Sequence, residues 1–323
     1  MNLPTQLSIA LPIKLPPAIF LIGPTASGKT ALACEIATRY PCDIISVDSA
    51  QVFCDMDIGT AKPDAAMQAQ FPHRLINLIT PEARYSAARF CTDALREMAV
   101  TTAKGRIPLL VGGTMLYVKA LREGLADLPD ADHALRVAID LEAAAKGWPA
   151  LHAELAQIDP ETAARLKPAD AQRIQRAIEI TRLTGQTMSS LLAAQEKSVP
   201  AYRFLTLALM PENRSELHRR IAQRFDLMLG QGLVDEVVML RQKYQLDAQL
   251  PSMRCVGYRQ AWEMLEGQIP KSELRDRGIF ATRQFAKRQL TWLKSMPDLA
   301  IYDPLAADTT ANVLMAVGAH IRQ

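Results

Sequence analysis

The sequence predicts an α/β fold: a parallel sheet flanked by helices, with an all-helical domain inserted into it. Three observations carry this. A short apolar run at residues 18–22 (AIFLI) ends in glycine and leads into an alanine-rich helical stretch, Lys29–Arg39. Further apolar runs at residues 44–47, 107–111 and 203–209 are separated by stretches of helical periodicity such as residues 87–104. Alternation of this kind builds a parallel sheet covered on both faces. From Asp132 to about Gln195 the periodicity is helical with no convincing strand, so this part reads as an insertion between two strands of one core. After Met210 the chain turns helical again, at residues 214–230, 233–244 and 272–294.

At roughly 100–200 residues per domain, 323 residues suit two units: a core of residues 1–124 and 200–323, and a helical insertion of residues 125–199. Net charge is only +3, so the placement of cations says more about partners than their total. Arginines outnumber lysines 25 to 12, a bias that serves phosphate contacts and surface ion pairs alike. Cys34, Cys42, Cys54, Cys91 and Cys255 form no CxxC pair and have no histidine at ligand spacing. That argues against a disulfide framework or a zinc site and fits a reducing cytoplasm. The cysteines read as buried small residues, and the scattered His73, His133, His152, His218 and His320 suggest no chemistry. The apolar run at residues 7–23 is broken by Pro12, Lys14, Pro16 and Pro17. It is too short and interrupted to span a bilayer, and no A-x-A cleavage pattern follows, so no membrane contact is expected.

Gly23, Pro24, Thr25, Ala26, Ser27, Gly28, Lys29 and Thr30 match GxxxxGK[ST] in full, between a strand and a helix. Backbone N–H groups in such a loop converge on an anion, and the helix N-terminus adds partial positive charge. Lys29 would reach terminal phosphate oxygens and the Thr30 hydroxyl would help hold Mg²⁺. The fold expected is therefore a phosphate-loop NTPase-like sheet. The loop does not say what carries the phosphate. In phosphoryl-transfer enzymes a second strand usually ends in an aspartate, yet the 107–111 strand ends in Gly112-Gly113-Thr114. Asp48 alone ends a strand, and it could organise a metal or accept a proton from a nucleophile; capping a following helix is the bland alternative. For Thr114 the alternatives are a hydroxyl reaching into a crevice and turn chemistry alone.

The motifs resemble the tRNA dimethylallyltransferases (isopentenyl-diphosphate:tRNA transferases) over most of the chain. They run, in order, GPTASGKT at 23–30, ISVDSAQVF at 45–53, MDIGTAKP at 56–63, YSAARF at 85–90, LLVGGTMLYVKAL at 109–121, DAQRIQRAIEI at 170–180, LPSMRCVGYRQAW at 250–262 and ATRQFAKRQLTWLK at 281–294. The resemblance implies a Mg²⁺-dependent cytoplasmic enzyme, expected to be monomeric, that moves a dimethylallyl group from its diphosphate to N6 of the adenosine 3′ of a tRNA anticodon. Lacking a C-terminal zinc-finger extension, it looks like the bacterial form. Gln51 stands where leucine is usual, Asp55 where glycine is frequent and Met115 where many relatives have glycine; these departures bear on substrate fitting.

The resemblance also implies roles. Asp48 becomes hydrogen-bond acceptor and general base for N6, Lys29 and the loop stabilise the departing diphosphate, and Thr114 touches the acceptor nucleotide, with Gly112 and Gly113 allowing close backbone approach. Contact with tRNA is implied for Asp48, Ser49, Ala50 and Gln51, for Arg136, and for Gln172, Arg173, Ile174, Gln175 and Arg176 of the insertion. The same holds for Arg254, Cys255, Val256, Gly257, Tyr258 and Arg259, whose mixture of guanidiniums and an aromatic suits an unstacked base with flanking phosphates. A last stretch is Lys287, Arg288, Gln289, Leu290, Thr291, Trp292, Leu293 and Lys294. Arg283, Lys287 and Lys294 share a helical stripe, with Phe285 and Trp292 on other faces for packing. From the residues alone, that stripe is a phosphate rail or a solvated face, and Arg173 and Arg176 could equally serve ion pairs with Asp170 and Glu179. A small-molecule kinase or ATPase, and an RNA-binding regulator with a vestigial nucleotide site, are the rival readings.

Overall fold

The computed structural model describes residues 15–124, 128–194 and 199–323. Contacts divide the chain into two units, Met1–Arg122 with Pro200–Gln323, and Glu123–Val199. In the first unit, strands β1 (Pro17–Ile22), β2 (Cys42–Val47), β3 (His73–Arg74), β4 (Ile107–Gly112), β5 (Arg203–Leu209) and β6 (Ala300–Tyr302) form one sheet. Their order is β3-β2-β4-β1-β5-β6 and every pairing is parallel. The four apolar runs became β2, β4, β1 and β5, with Ile19 opposite both Leu109 and Leu205. β3 and β6 had no sequence signal. They are two- and three-residue edge pairings, and an edge strand flanked on one side needs no continuous apolar run.

Helices cover both faces. Leu32 and Ile36 of the Lys29–Arg39 helix, with Val313 and Val317 of the Thr309–Arg322 helix, pack on Ile19, Leu21, Leu109 and Val111. On the opposite face, Phe90, Met98, Tyr117 and Leu293 pack on Phe20, Ile22, Ile45 and Leu110. Each such side chain taken from water stabilises by about 1.5–3 kcal/mol, which fixes the sheet rigidly beneath its loops. A further cluster forms among the helices Arg214–Gly230, Leu233–Lys243, Tyr258–Leu265 and Leu274–Ser295. The first, second and fourth fall where the periodicity placed them. The third, and the Thr309–Arg322 helix, were not anticipated.

The second unit is helical in its described residues: His133–Lys146, Trp148–Ile158, Pro160–Arg165, Ala171–Thr184 and Met188–Ala194, around Ile139, Leu151, Leu155 and Ile174. The expected unit boundary after residue 124, the end of the helical stretch at Gln195 and the start of the 7–23 run lie outside the described residues. Among those described, no helix is long and apolar enough to cross a membrane.

Because all strands run the same way, their C-terminal ends share one edge of the sheet. The phosphate loop follows β1, Asp48 follows β2, and Gly113 and Thr114 follow β4. Open α/β sheets bind ligands in the crevice outside these ends.

Candidate active site

The loop after β1 is shaped for an anion. The Lys29–Arg39 helix has neither a side-chain cap nor an acidic residue in its first turn, so its leading N–H groups keep their partial positive charge. Ala26 holds φ at 62°, an unfavourable conformation for a residue with a side chain, of the kind that collects at binding sites. Gln289 of the Leu274–Ser295 helix locks the loop in place: its Oε1 accepts the Thr25 N–H at 2.9 Å and its Nε2 donates to the Gly113 carbonyl at 2.9 Å. Side chains at Gly112 and Gly113 would collide with the Val47 carbonyl and with Gln289 respectively. The glycines therefore admit the protein's own neighbouring groups. Both also line the cavity beside the loop, where close approach of a nucleotide was expected.

A cavity of about 420 Å³ opens beside this loop. Thr25, Lys29 and Thr30 form one wall, Asp48, Ser49 and Gln51 another, and Arg224, Arg254 and Arg288 bring cations from three further segments. Among the described residues Lys29 has no carboxylate partner; its ammonium folds back to donate to the carbonyls of Gly23 at 2.9 Å and Pro24 at 2.6 Å. Burial pulls it down to about 7, the Arg224 guanidinium pushes the same way, and Asp48 opposes them. Arg224 is itself lowered by burial, with Asp48 again opposing, and the described residues give it no hydrogen-bond or ion-pair partner. Two poorly solvated cations facing a single carboxylate leave a net positive site that an anionic ligand would neutralise. Sequence reading missed Arg224. Its signal lies in the pattern: it adjoins the buried stripe Leu217, Ile221, Phe225 and Met228, where a solvated cation would not be placed.

Asp48 lines the same cavity as these cations and the Arg254–Val256 segment. Its charge is felt by Lys29, by Arg224 and by the Cys255 thiol, which burial and then Asp48 push up to about 12. Oδ1 accepts the Ala50 N–H at 2.8 Å and, more weakly, that of Gln51 at 3.4 Å. No helix follows, so the capping alternative gives way to a turn made by one oxygen, while the described residues bring no partner to Oδ2. Thr114 Oγ1 accepts the Ser49 N–H at 3.0 Å and lies 3.3 Å from the Ser49 hydroxyl. It thereby joins the turn after β4 to the turn after β2.

Other expected contacts divide sharply by exposure. Lys287, Arg288, Thr291 and Lys294 are exposed, as are Arg254, Arg259, Gln172 and Arg173. Tyr258 is 0% exposed, with its hydroxyl on Glu236, which corrects its reading as an aromatic for an unstacked base. Ile174 and Leu293 are core residues, Gln289 is spent on the loop, and Gly257 is buried at φ 93°. Leu290 and Trp292 are partly buried against the apolar clusters. Phe285 reaches the cavity, with the Arg288 guanidinium 5.8 Å from its ring centre, instead of serving packing alone. Arg283 is partly buried and its Nε has no partner, so it leaves the exposed stripe. In the insertion unit, Arg136 grips the wholly buried Glu179 through two bonds of 2.8 and 2.9 Å, and Arg176 adds one of 2.7 Å. Arg173 pairs with Asp170 at 2.9 Å and Gln175 bonds Asp140 at 2.7 Å. The ion-pair alternative thus describes these residues in the present state. Of the three departures, only Gln51 lines the cavity. Met115 is core, and Asp55, at φ 61°, bonds Lys243 at 2.6 Å and the Tyr244 hydroxyl. His73, of which no chemistry was expected, lines the cavity as well.

Residues 51–296 match the family described as IPP transferase, and residues 17–74 the one described as isopentenyl transferase. The chain belongs to the IPP transferase family. A tRNA dimethylallyltransferase from Dechloromonas aromatica is 64% identical over 294 residues, 91% of this chain and 94% of that protein. The full-length tRNA isopentenylpyrophosphate transferase from Bacillus halodurans superposes with a TM-score of 0.68 at 32% identity, covering 95% of this chain and 97% of that one. A eukaryotic dimethylallyltransferase captured acting on tRNA superposes with a TM-score of 0.78 at 25% identity, covering 94% and 78% respectively. Membership accounts for a phosphate loop whose neighbouring strand ends in glycines where a phosphoryl-transfer enzyme would place a metal-binding acid.

Proposed function

We propose that this chain transfers the dimethylallyl group of dimethylallyl diphosphate to N6 of the adenosine immediately 3′ of the anticodon in tRNA. The observation that carries the reading is the cavity in which Lys29 and Arg224, neither ion-paired among the described residues, face the single carboxylate of Asp48 beside an arginine-lined segment. Adenine N6 is a weak nucleophile because its lone pair is delocalised into the ring. In the transfer, the N6 lone pair forms a bond to the allylic carbon, the carbon–oxygen bond breaks, and that electron pair leaves on the diphosphate. Lys29, Arg224 and the loop N–H groups hold the departing charge, the kind of stabilisation that is often the largest catalytic term. Asp48 Oδ2 takes the N6 proton, worth ~10²–10⁴-fold.

Magnesium fits this site as a diphosphate-bound ion. Among the described residues no cluster of acidic, histidine or cysteine side chains could cage a metal, and Mg²⁺ commonly uses one or two protein oxygens, waters and substrate phosphates. The exposed Thr30 hydroxyl would hold it, and the ion would add positive charge beside the leaving diphosphate.

The decisive assay mixes the protein with bulk tRNA, Mg²⁺ and labelled dimethylallyl diphosphate, then digests the RNA. Prenylated adenosine with released diphosphate is the expected product; unmodified RNA here, with ADP and a phosphorylated acceptor in a parallel reaction given ATP, would instead establish a kinase. Grip on RNA is tested separately. Replacing the exposed Lys287 and Lys294, neither of which lines the cavity, with glutamine weakens tRNA binding and flattens its salt dependence by up to ~0.7–0.9 per lost phosphate contact in the log–log slope. The transfer rate at saturating tRNA survives. Titrations at several salt concentrations check this, and identical slopes would leave these side chains as a solvated face.

A further inference from the structure

Glu236 lies in the Leu233–Lys243 helix and is 8% exposed. No cation neutralises it among the described residues. Instead, Oε2 accepts the backbone N–H groups of Asp57 at 3.0 Å and Ile58 at 2.8 Å, while Oε1 accepts that of Gly59 at 3.3 Å and the Tyr258 hydroxyl at 2.5 Å. Consecutive N–H groups turned toward one point form an anion nest, and here the protein's own carboxylate fills it. Burying an unpaired carboxylate is expensive even when bonded, and apolar packing often serves stability as well. Its retention asks what else it fixes.

The groups it joins belong to two segments of the cavity wall. Gly59, Thr60 and Ala61 continue directly from the nest into the cavity, and Arg254, Cys255 and Val256 enter it just ahead of Tyr258. A side chain at Gly59 would collide with the Tyr258 ring, so the segments touch with no room to spare. The 53–62 loop is further pinned by Lys62, whose side chain is 3% exposed and whose ammonium donates to the Phe53 carbonyl and Asp57 carboxylate, each at 2.7 Å. The donor-side groups stand on other elements: Lys29 on the helix after β1 and Arg224 on the Arg214–Gly230 helix.

We propose that Glu236 is a positioning residue for the acceptor side of the site, holding the Gly59–Tyr258 junction so that Arg254, Cys255 and Val256 stand in fixed register with the 59–61 wall. This rests on the reading that the site accepts RNA. Glu236→Ala then raises the KM for an anticodon stem-loop RNA by ~10-fold or more, the loss of a buried hydrogen-bond acceptor, while the dissociation constant of inorganic diphosphate stays within ~2-fold. Tyr258→Phe, which keeps the ring and removes only the hydroxyl, moves RNA KM the same way by ~3-fold. Glu236→Gln falls between wild type and Glu236→Ala: its amide oxygen can take the Asp57 and Ile58 N–H groups, but its NH₂ faces the Gly59 N–H and the Tyr258 hydroxyl, both of which donate to Oε1.

Steady-state kinetics on the variants, diphosphate titration and thermal melts provide the test. Wild-type RNA KM in a folded Glu236→Ala protein overturns the proposal. So does a parallel loss of RNA and diphosphate binding, which marks a purely structural group. If the alanine variant does not fold, Tyr258→Phe decides, and an unchanged RNA KM overturns the idea. Wild-type protein that fails to prenylate RNA overturns the parent reading, whatever the variants do.

Discussion

Lys29→Ala abolishes dimethylallyl transfer while tRNA binding is largely retained. The variant loses the bonds from Lys29 to the Gly23 and Pro24 carbonyls, but the lock between Thr25 and Gly113 runs through Gln289 and holds the loop. What it loses is a half-buried cation on the cavity wall, in surroundings where charge is poorly screened. Donor titrations also expose its protonation. With Lys29 lowered to about 7 in the free site, an arriving diphosphate raises it again, so binding above pH ~7 takes up a proton. Donor affinity is flat below that pH, falls as pH rises through it, and loses this component in Lys29→Ala. The sign for stability is opposite. The unfolded chain, with an ordinary lysine, binds more protons between pH 7 and 10.5, so stability rises with pH across that window and the charged side chain is a burden below it. Lys29→Met therefore melts higher than wild type at neutral pH. Wild-type turnover in the alanine variant would remove Lys29 from the chemistry.

The legible parts of the fold were those buried on both sides. β1, β2, β4 and β5 each bury most of their residues, and that demand writes a continuous apolar run. β3 and β6 take their place from the strands beside them and leave no such trace. At the site, the phosphate loop was readable because its backbone conformation requires particular residues at fixed spacing. Arg224, and the roles of Gln289 and Glu236, were not: Arg224 comes beside Lys29 and Asp48 only in the fold, Gln289 meets Thr25 across 264 positions and Glu236 meets Ile58 across 178. Tyr258 shows the reverse error. Beside Arg254 and Arg259 it looked like a base-stacking aromatic, and only packing reveals that its ring closes on Gly59.

Asp48→Asn lowers the transfer rate by ~10²-fold or more and leaves both substrates bound. The geometry makes asparagine a clean probe. Its side-chain oxygen can still accept the Ala50 N–H that Oδ1 accepts at 2.8 Å, so the turn after β2, and with it the Ser49–Thr114 contact, persists. The change falls on the other atom. An NH₂ replaces Oδ2, and a group that accepted the N6 proton becomes a donor pointed at another donor. Binding of the diphosphate rests on Lys29, Arg224 and the loop, and binding of RNA on the arginine-lined segments, so neither affinity moves by more than a few-fold. Asp48→Ala removes the turn as well and costs more, in both rate and RNA affinity. Single-turnover rates with both substrates saturating separate these effects from binding. An Asp48→Asn protein that transfers at the wild-type rate would show the carboxylate to be a turn former alone, and the proton would have to leave N6 by another route.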